Sequence, residues 1–147
     1  MRSLCSNCCS WSLSSPCSSW SACPRIRITS SARVTQAIGD ILEIQVHVER
    51  YRSDNAALPP DLSAVGVSGK LDPWGRPYVY FNLEAAGKKG TGAARKNQKL
   101  VPINSDYDLY SVGKDGVSRP PLTAAESRDD VVRAYDGRFV DLASKYH

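Results

Sequence analysis

The sequence has few of the residues that metal centres and hydrolytic active sites use, and their positions exclude several kinds of protein. It has two histidines in 147 residues and no Gly-x-Ser-x-Gly motif. All five cysteines lie in the first 23 residues, so no disulfide can join two parts of the remainder. The pair Cys5 and Cys8 lacks the histidines or second cysteine pair of a zinc site. These absences argue against an enzyme and against zinc.

Strong charge of one sign and a long apolar segment are also missing. Residues 1–30 hold three arginines and no acid, which leaves 16 basic and 15 acidic residues in the rest of the chain. No nucleic-acid partner is therefore predicted. No stretch approaches the roughly 20 apolar residues of a membrane span, so the sequence as it stands predicts neither an anchor nor an ordinary signal peptide. The 41% hydrophobic fraction is typical of one globular domain.

Residues 1–31 are rich in serine and cysteine and fit neither a helix nor a strand. A one-base shift of the reading frame turns TCN serine codons into codons for Phe, Leu, Ile or Val, and cysteine or tryptophan codons into codons for Leu, Met or Val. Read so from Ser3, the segment becomes an apolar run long enough to span a bilayer, with one acid at the place of Asn7. We therefore predict that residues 1–31 are an aberrant segment, out of frame with a membrane helix through a frameshift that is either biological or a sequencing error.

The globular domain is predicted to occupy residues 32–147 and to begin with an amphipathic helix over residues 32–53. One face of this helix carries apolar residues at helical spacing, namely Val34, Ala37, Ile38, Ile41, Ile44, Val48 and Tyr51. Leu42 and Val46 lie off that stripe, so the apolar surface either is broad or partly contacts another chain. A sheet region is predicted over residues 72–147, with strands at 78–82, 100–103, 107–111 and 138–142. The predicted fold class is α+β, a long helix packed on a small antiparallel sheet with a C-terminal loop region.

The connections between these strands contain one predicted turn and one predicted open loop. Residues 72–78 read Asp-Pro-Trp-Gly-Arg-Pro-Tyr. They predict a tight turn that leads into a strand, because Pro73 and Pro77 fix φ and Gly75 permits positive φ. Residues 87–99 are basic and glycine-rich, lack the phosphate-loop pattern, and are predicted to be a solvated loop. The alternative is a loop that contacts an acidic neighbouring subunit.

Residues 108–116, Asp-Leu-Tyr-Ser-Val-Gly-Lys-Asp-Gly, predict a strand that enters an oxygen-rich loop. Calcium binds six to eight such oxygens, although the spacing here is not that of an EF-hand. The candidate ligands are Asp115, Asp129, Asp130, Ser111 and backbone carbonyls from Leu109 onward. The alternative is an ion-free loop in which Asp115 and Gly116 form a turn and Asp129 caps a short helix through Arg133.

From residue 32 to about residue 142 the chain resembles the major pseudopilins of type II secretion systems, within the type IV pilin superfamily. The resemblance depends on the amphipathic helix ending near Tyr51, the Leu58-Pro59 turn, and the two motifs at 72–78 and 108–116 in that order. The shifted reading of residues 3–7 as Phe-Thr-Leu-Ile-Glu is similar to the start of the family's membrane segment.

The resemblance implies a structural role without catalysis. The chain would self-assemble into a homo-oligomeric periplasmic filament that drives protein export, anchored in the inner membrane. Its partners would be minor pseudopilins, the inner-membrane secretion platform and, for an intact precursor, the prepilin peptidase. The resemblance also implies a bound calcium, with Asp115 and Asp130 best placed, although Arg119-Pro-Pro-Leu-Thr stands where the family has a glycine-rich linker.

Two other functions fit the same residues. The globular fold alone does not separate a secretion subunit from a type IV pilin used for adhesion or DNA uptake. The other function is that of a soluble calcium-stabilised binding module, in which the N-terminal segment is a real product.

Overall fold

The computed structural model describes residues 29–90, 92–98 and 100–146. Its longest element is helix α1, Ser30–Asn55. The helix begins where the Thr29 hydroxyl accepts a hydrogen bond from the backbone N–H of Ala32, and it ends at Ala56, whose φ of 53° cannot continue a right-handed helix. None of the helices in the described ranges is both long and apolar enough to cross a membrane. The predictions for residues 1–28 lie outside these ranges.

The described residues form four strands, β1 (Val79–Asn82), β2 (Tyr107–Ser111), β3 (Val131–Ala134) and β4 (Phe139–Leu142). Each strand pairs antiparallel with the next along the chain, in the order β1-β2-β3-β4. A short helix, α2 (Leu83–Gly90), lies between β1 and β2 and is interrupted at Gly87. The predicted α+β class, a long helix on an antiparallel sheet, is confirmed.

The apolar stripe of α1 packs on one face of the sheet. Ala37, Ile41, Ile44 and Val48 are fully buried there, in a first core cluster that includes Tyr107, Leu109 and Val131. A second core cluster lies on the opposite face and contains Ile103, Leu122, Val132, Ala134, Ala143 and Tyr146. Because side chains alternate along a strand, the two neighbouring valines of β3 enter different clusters. The sheet is therefore covered on both faces.

The strand predicted at residues 100–103 is wrong. Residues 101–103 form bends, and Leu100 makes a single bridge to Asn97 instead of joining the sheet. The alternative interpretation of the loop placed a short helix from Asp129 through Arg133, and the structure has β3 there instead, because β-branched Val131 and Val132 each fill a core cluster. This strand pairs on both sides and all four of its residues are buried.

Candidate functional site

The two sequence motifs meet at the end of β2. Asp72 is buried, and its Oδ1 accepts hydrogen bonds from the backbone N–H groups of Trp74 (3.0 Å) and Arg76 (2.8 Å). Its Oδ2 accepts a bond of 2.6 Å from the hydroxyl of Ser111, the last residue of β2. One carboxylate therefore closes the predicted turn and also fixes that turn to the start of the oxygen-rich loop.

Arg76 extends this connection into the loop. Its Nη1 donates to the backbone carbonyls of Gly113 (2.8 Å) and Lys114 (3.2 Å). A Cβ atom at Gly116 would lie 2.4 Å from the Arg76 Nε, so the guanidinium lies directly against the loop backbone. The backbone carbonyls of Gly113 and Lys114, which could otherwise bind a metal cation, are therefore already bound by the positively charged guanidinium of Arg76.

The predicted ligands Asp115 and Asp129 lie close together on the outer part of the loop. Asp129 Oδ2 accepts hydrogen bonds from the backbone N–H groups of Lys114 (2.8 Å) and Asp115 (3.0 Å). Asp115 Oδ1 accepts a bond of 2.9 Å from the backbone N–H of Val117. In this arrangement both carboxylates stabilise turns of the main chain.

The predicted ligand Asp130 lies elsewhere, at the inner end of the loop. It is fully buried, and its Oδ2 accepts a 2.7 Å bond from Nη2 of Arg95 and another bond from the Ser118 hydroxyl. Burial raises the pKa of Asp130 above its ordinary value, although Ser118 and Arg95 oppose that shift. Asp130 therefore belongs to a buried ion pair and not to the Asp115–Asp129 pair.

Arg95 corrects the prediction that residues 87–99 are simply a solvated loop. Only 2% of this residue is exposed, and its guanidinium carbon lies 3.6 Å from the centre of the Tyr110 ring. Its backbone N–H donates to Asp108 Oδ2 at 2.7 Å, and Asn104 donates to Oδ1 of the same carboxylate at 2.8 Å. Burial also raises the pKa of Asp108, against the effect of these bonds.

The five predicted calcium ligands do not converge on one point. Ser111 is bonded to Asp72, and Leu109 is in the middle of β2, paired with Tyr80. Across residues 29–90, 92–98 and 100–146, no group of three or more acidic, histidine or cysteine side chains is arranged to hold a metal. Calcium binding stays a prediction, and the two candidate acids that do lie close together, Asp115 and Asp129, both accept main-chain hydrogen bonds.

Sequence reasoning missed Arg76 and Arg95 as parts of this site. Arg76 stands inside the motif at 72–78, so its position was a signal that could have been used. Arg95 lies in a segment without periodicity, and its burial depends on partners more than 20 residues later in the chain.

Replacing Gly113 by alanine is expected to destabilise the domain by about 2–5 kcal/mol, because two costs combine. The φ of Gly113 is +65°, and a Cβ there would lie 2.4 Å from the backbone carbonyl oxygen of Asp129. Urea unfolding would measure the loss. Gly66→Ala is the matched control, since its φ is +74° but nothing lies within 4 Å of the added carbon. Equal losses in the two variants would show that the loop does not pack closely at Gly113.

The chain is similar to the type II secretion system core protein G of Pseudomonas aeruginosa. The two are 32% identical over 106 residues, which cover 58% of this chain and 62% of that protein. The chain thus spans less than two thirds of the length of this relative. No protein-family model matches the chain, and no solved structure does. Together with the helix-on-sheet fold, the similarity supports a relationship between this chain and core protein G of type II secretion.

Proposed function

We propose that the chain is a structural subunit of a type II secretion pseudopilus, a helical periplasmic filament that drives proteins across the outer membrane. The similarity to core protein G is the observation that supports this role. In this role, the subunit assembles with copies of itself, with minor pseudopilins and with the inner-membrane platform. The subunit performs no chemistry on a substrate.

The outward face of α1 would supply the contact between subunits. Leu42 is 45% exposed and Val46 is 67% exposed, although both are apolar. They are four residues apart and so lie next to each other on the helix surface, away from the buried stripe. Burying them against a neighbouring subunit would remove this apolar area from water and stabilise the filament.

The membrane anchor of such a subunit would come from the shifted reading of the N-terminal codons, and processing of that segment would require the prepilin peptidase. The nucleotide sequence that encodes residues 1–35 tests this part directly. A single inserted or deleted base must restore a continuous apolar segment with one acid. If no single change restores it, the frameshift hypothesis is refuted.

Val46→Asp is expected to abolish filament assembly while leaving the fold intact, because Val46 contacts mostly water in the isolated domain. The frame-restored gene would be expressed with the secretion genes of its own organism, and sheared filaments would be counted by electron microscopy and immunoblotting. Val101→Asp is the matched control, a valine of 54% exposure outside the helix. Normal filaments from the Val46→Asp variant would contradict a subunit contact on this face. A frame-restored parent that never enters filaments would contradict the pseudopilus role itself.

A further inference from the structure

The loop from β2 to β3 presents several oxygen atoms to the side chains of Arg95 and Arg76. They come from the Asp130 carboxylate, the Ser118 hydroxyl and the backbone carbonyls of Gly113, Lys114 and Arg119. Carboxylates, hydroxyls and carbonyls are the groups that hard cations such as calcium bind. Grouped inside a protein, they require a positive charge or hydrogen-bond donors.

Arg95 supplies a positive charge and hydrogen-bond donors to the inner half of this loop, which contains Ser118, Arg119 and Asp130. Its Nη1 donates to the Arg119 carbonyl at 2.5 Å, and its Nη2 donates to Asp130 and to the Ser118 hydroxyl. The side chain of Arg95 is 3% exposed and that of Asp130 is fully buried, so the ion pair between them is shielded from bulk water. A guanidinium presents its donors in a fixed fork, which suits a carboxylate with a carbonyl beside it.

The main chain holds Arg95 in this position. The backbone N–H of Lys96 donates to the Pro120 carbonyl at 3.0 Å, and the carbonyl of Lys96 accepts from the backbone N–H of Leu122 at 2.9 Å. The segment that carries Arg95 therefore pairs directly with the loop whose oxygens it binds. The guanidinium is a built part of the domain, and not a surface side chain folded inward.

The outer half of the loop is satisfied by other protein donors. Arg76 binds the carbonyls of Gly113 and Lys114, and Asp129 is bound by two backbone N–H groups. The acid that remains, Asp115, bonds its own turn. Each oxygen group named above thus has at least one donor from the described part of the chain, while Asp130 Oδ1 and Arg95 Nε are buried without a hydrogen-bond partner among those residues.

We propose that the guanidinium groups of Arg95 and Arg76 take the place of a metal ion in this loop, so that the folded domain is stable without calcium. This proposal replaces the calcium site expected from the resemblance, whose ligands do not converge. Because it concerns the fold of one subunit, it does not depend on filament assembly.

The first test is a thermal melt of the full chain under reducing conditions, with either calcium chloride or a chelator in excess. A filled structural site would raise the midpoint by several degrees. We expect equal midpoints, and less than one tenth of a calcium per chain by elemental analysis after dialysis against calcium and gel filtration. A midpoint that falls by several degrees in chelator, or one calcium per chain, would overturn the proposal.

The second test removes the internal cation. Arg95→Met keeps the length of the side chain and loses its donors, so the midpoint is expected to fall by ten degrees or more. Arg95→Lys keeps the charge without the fork, and its midpoint should lie between those of Arg95→Met and the parent. Arg138→Met is the control at an exposed arginine. If the midpoint of Arg95→Met equals that of Arg138→Met, the guanidinium of Arg95 is not the stabilising group. If Arg95→Met does not fold, the Arg95→Lys midpoint and the chelator melt still decide.

Discussion

Replacing Arg133 by methionine is expected to lower the free energy of unfolding by about 3–5 kcal/mol. Arg133 is 1% exposed, and its Nη1 and Nη2 bind the two carboxylate oxygens of Asp106 at 2.8 Å and 2.7 Å. Burial would raise the pKa of Asp106, but the hydrogen bonds from Arg133 and from the Tyr107 backbone N–H, together with the charge of Arg133, outweigh burial and lower that pKa. Without Arg133 the carboxylate stays buried and loses the partner that stabilises its charge.

The loss should extend beyond the ion pair, because Arg133 joins three elements. It lies on β3, its Nη1 also donates to the carbonyl of Tyr107 on β2 at 3.1 Å, and its Nε donates to Gln45 on α1 at 3.3 Å. Its guanidinium carbon is 3.9 Å from the centre of the Tyr107 ring. Its removal therefore weakens both the sheet and the contact of the helix with the sheet.

Urea unfolding of the single and double variants would separate these contributions. Asp106→Leu combined with Arg133→Met should recover much of the loss, since a buried ion pair can be replaced by apolar side chains of similar volume. Arg138→Met, at the exposed end of the β3–β4 turn, should change stability by about 0.5 kcal/mol or less. A loss of less than about 1 kcal/mol for Arg133→Met would mean that Asp106 reaches water in solution.

Replacing Ile44 by alanine is expected to lower the free energy of unfolding by about 2–5 kcal/mol. Ile44 is fully buried in the first core cluster, where α1 packs on the sheet. The substitution removes apolar contacts and leaves a cavity in a helix face that cannot collapse without moving the sheet.

Leu42→Ala serves as the comparison on the same helix. Leu42 is 45% exposed, so its truncation should cost only a fraction of the loss at Ile44. Helix propensity favours alanine in both variants, and the difference between them therefore reports burial. Equal losses at the two positions would contradict the orientation of α1 on the sheet.

The helix could be predicted well because its signal is local. Apolar residues from Val34 to Val48 repeat at helical spacing, and the residues that the structure buries completely are members of that stripe. The turn at 72–78 was likewise readable from its prolines and glycine, although its hydrogen bond to Ser111 was not. Local chemistry specifies the turn, and only the tertiary fold specifies its partner.

The loop could not be read in the same way. Asp129 and Asp130 are adjacent in sequence and are both candidate ligands for one ion, yet they face different surroundings. One accepts main-chain N–H bonds at the outer side of the loop, and the other is buried with Arg95. The sequence shows only that both residues are acidic. What each one contacts depends on the alternation of side chains where β3 begins and on the segment around Arg95, which lies far upstream in the chain.

The strand order has a consequence for how the chain folds. β3 and β4 are joined by the four residues 135–138, where Tyr135, Asp136 and Gly137 all have positive φ, so this hairpin closes with little loss of chain entropy. The pairings of β2 with its two neighbours must close the longer connections 83–106 and 112–130. The hairpin can therefore form early. We expect β2 to join the sheet later, because its pairings close the two longer connections.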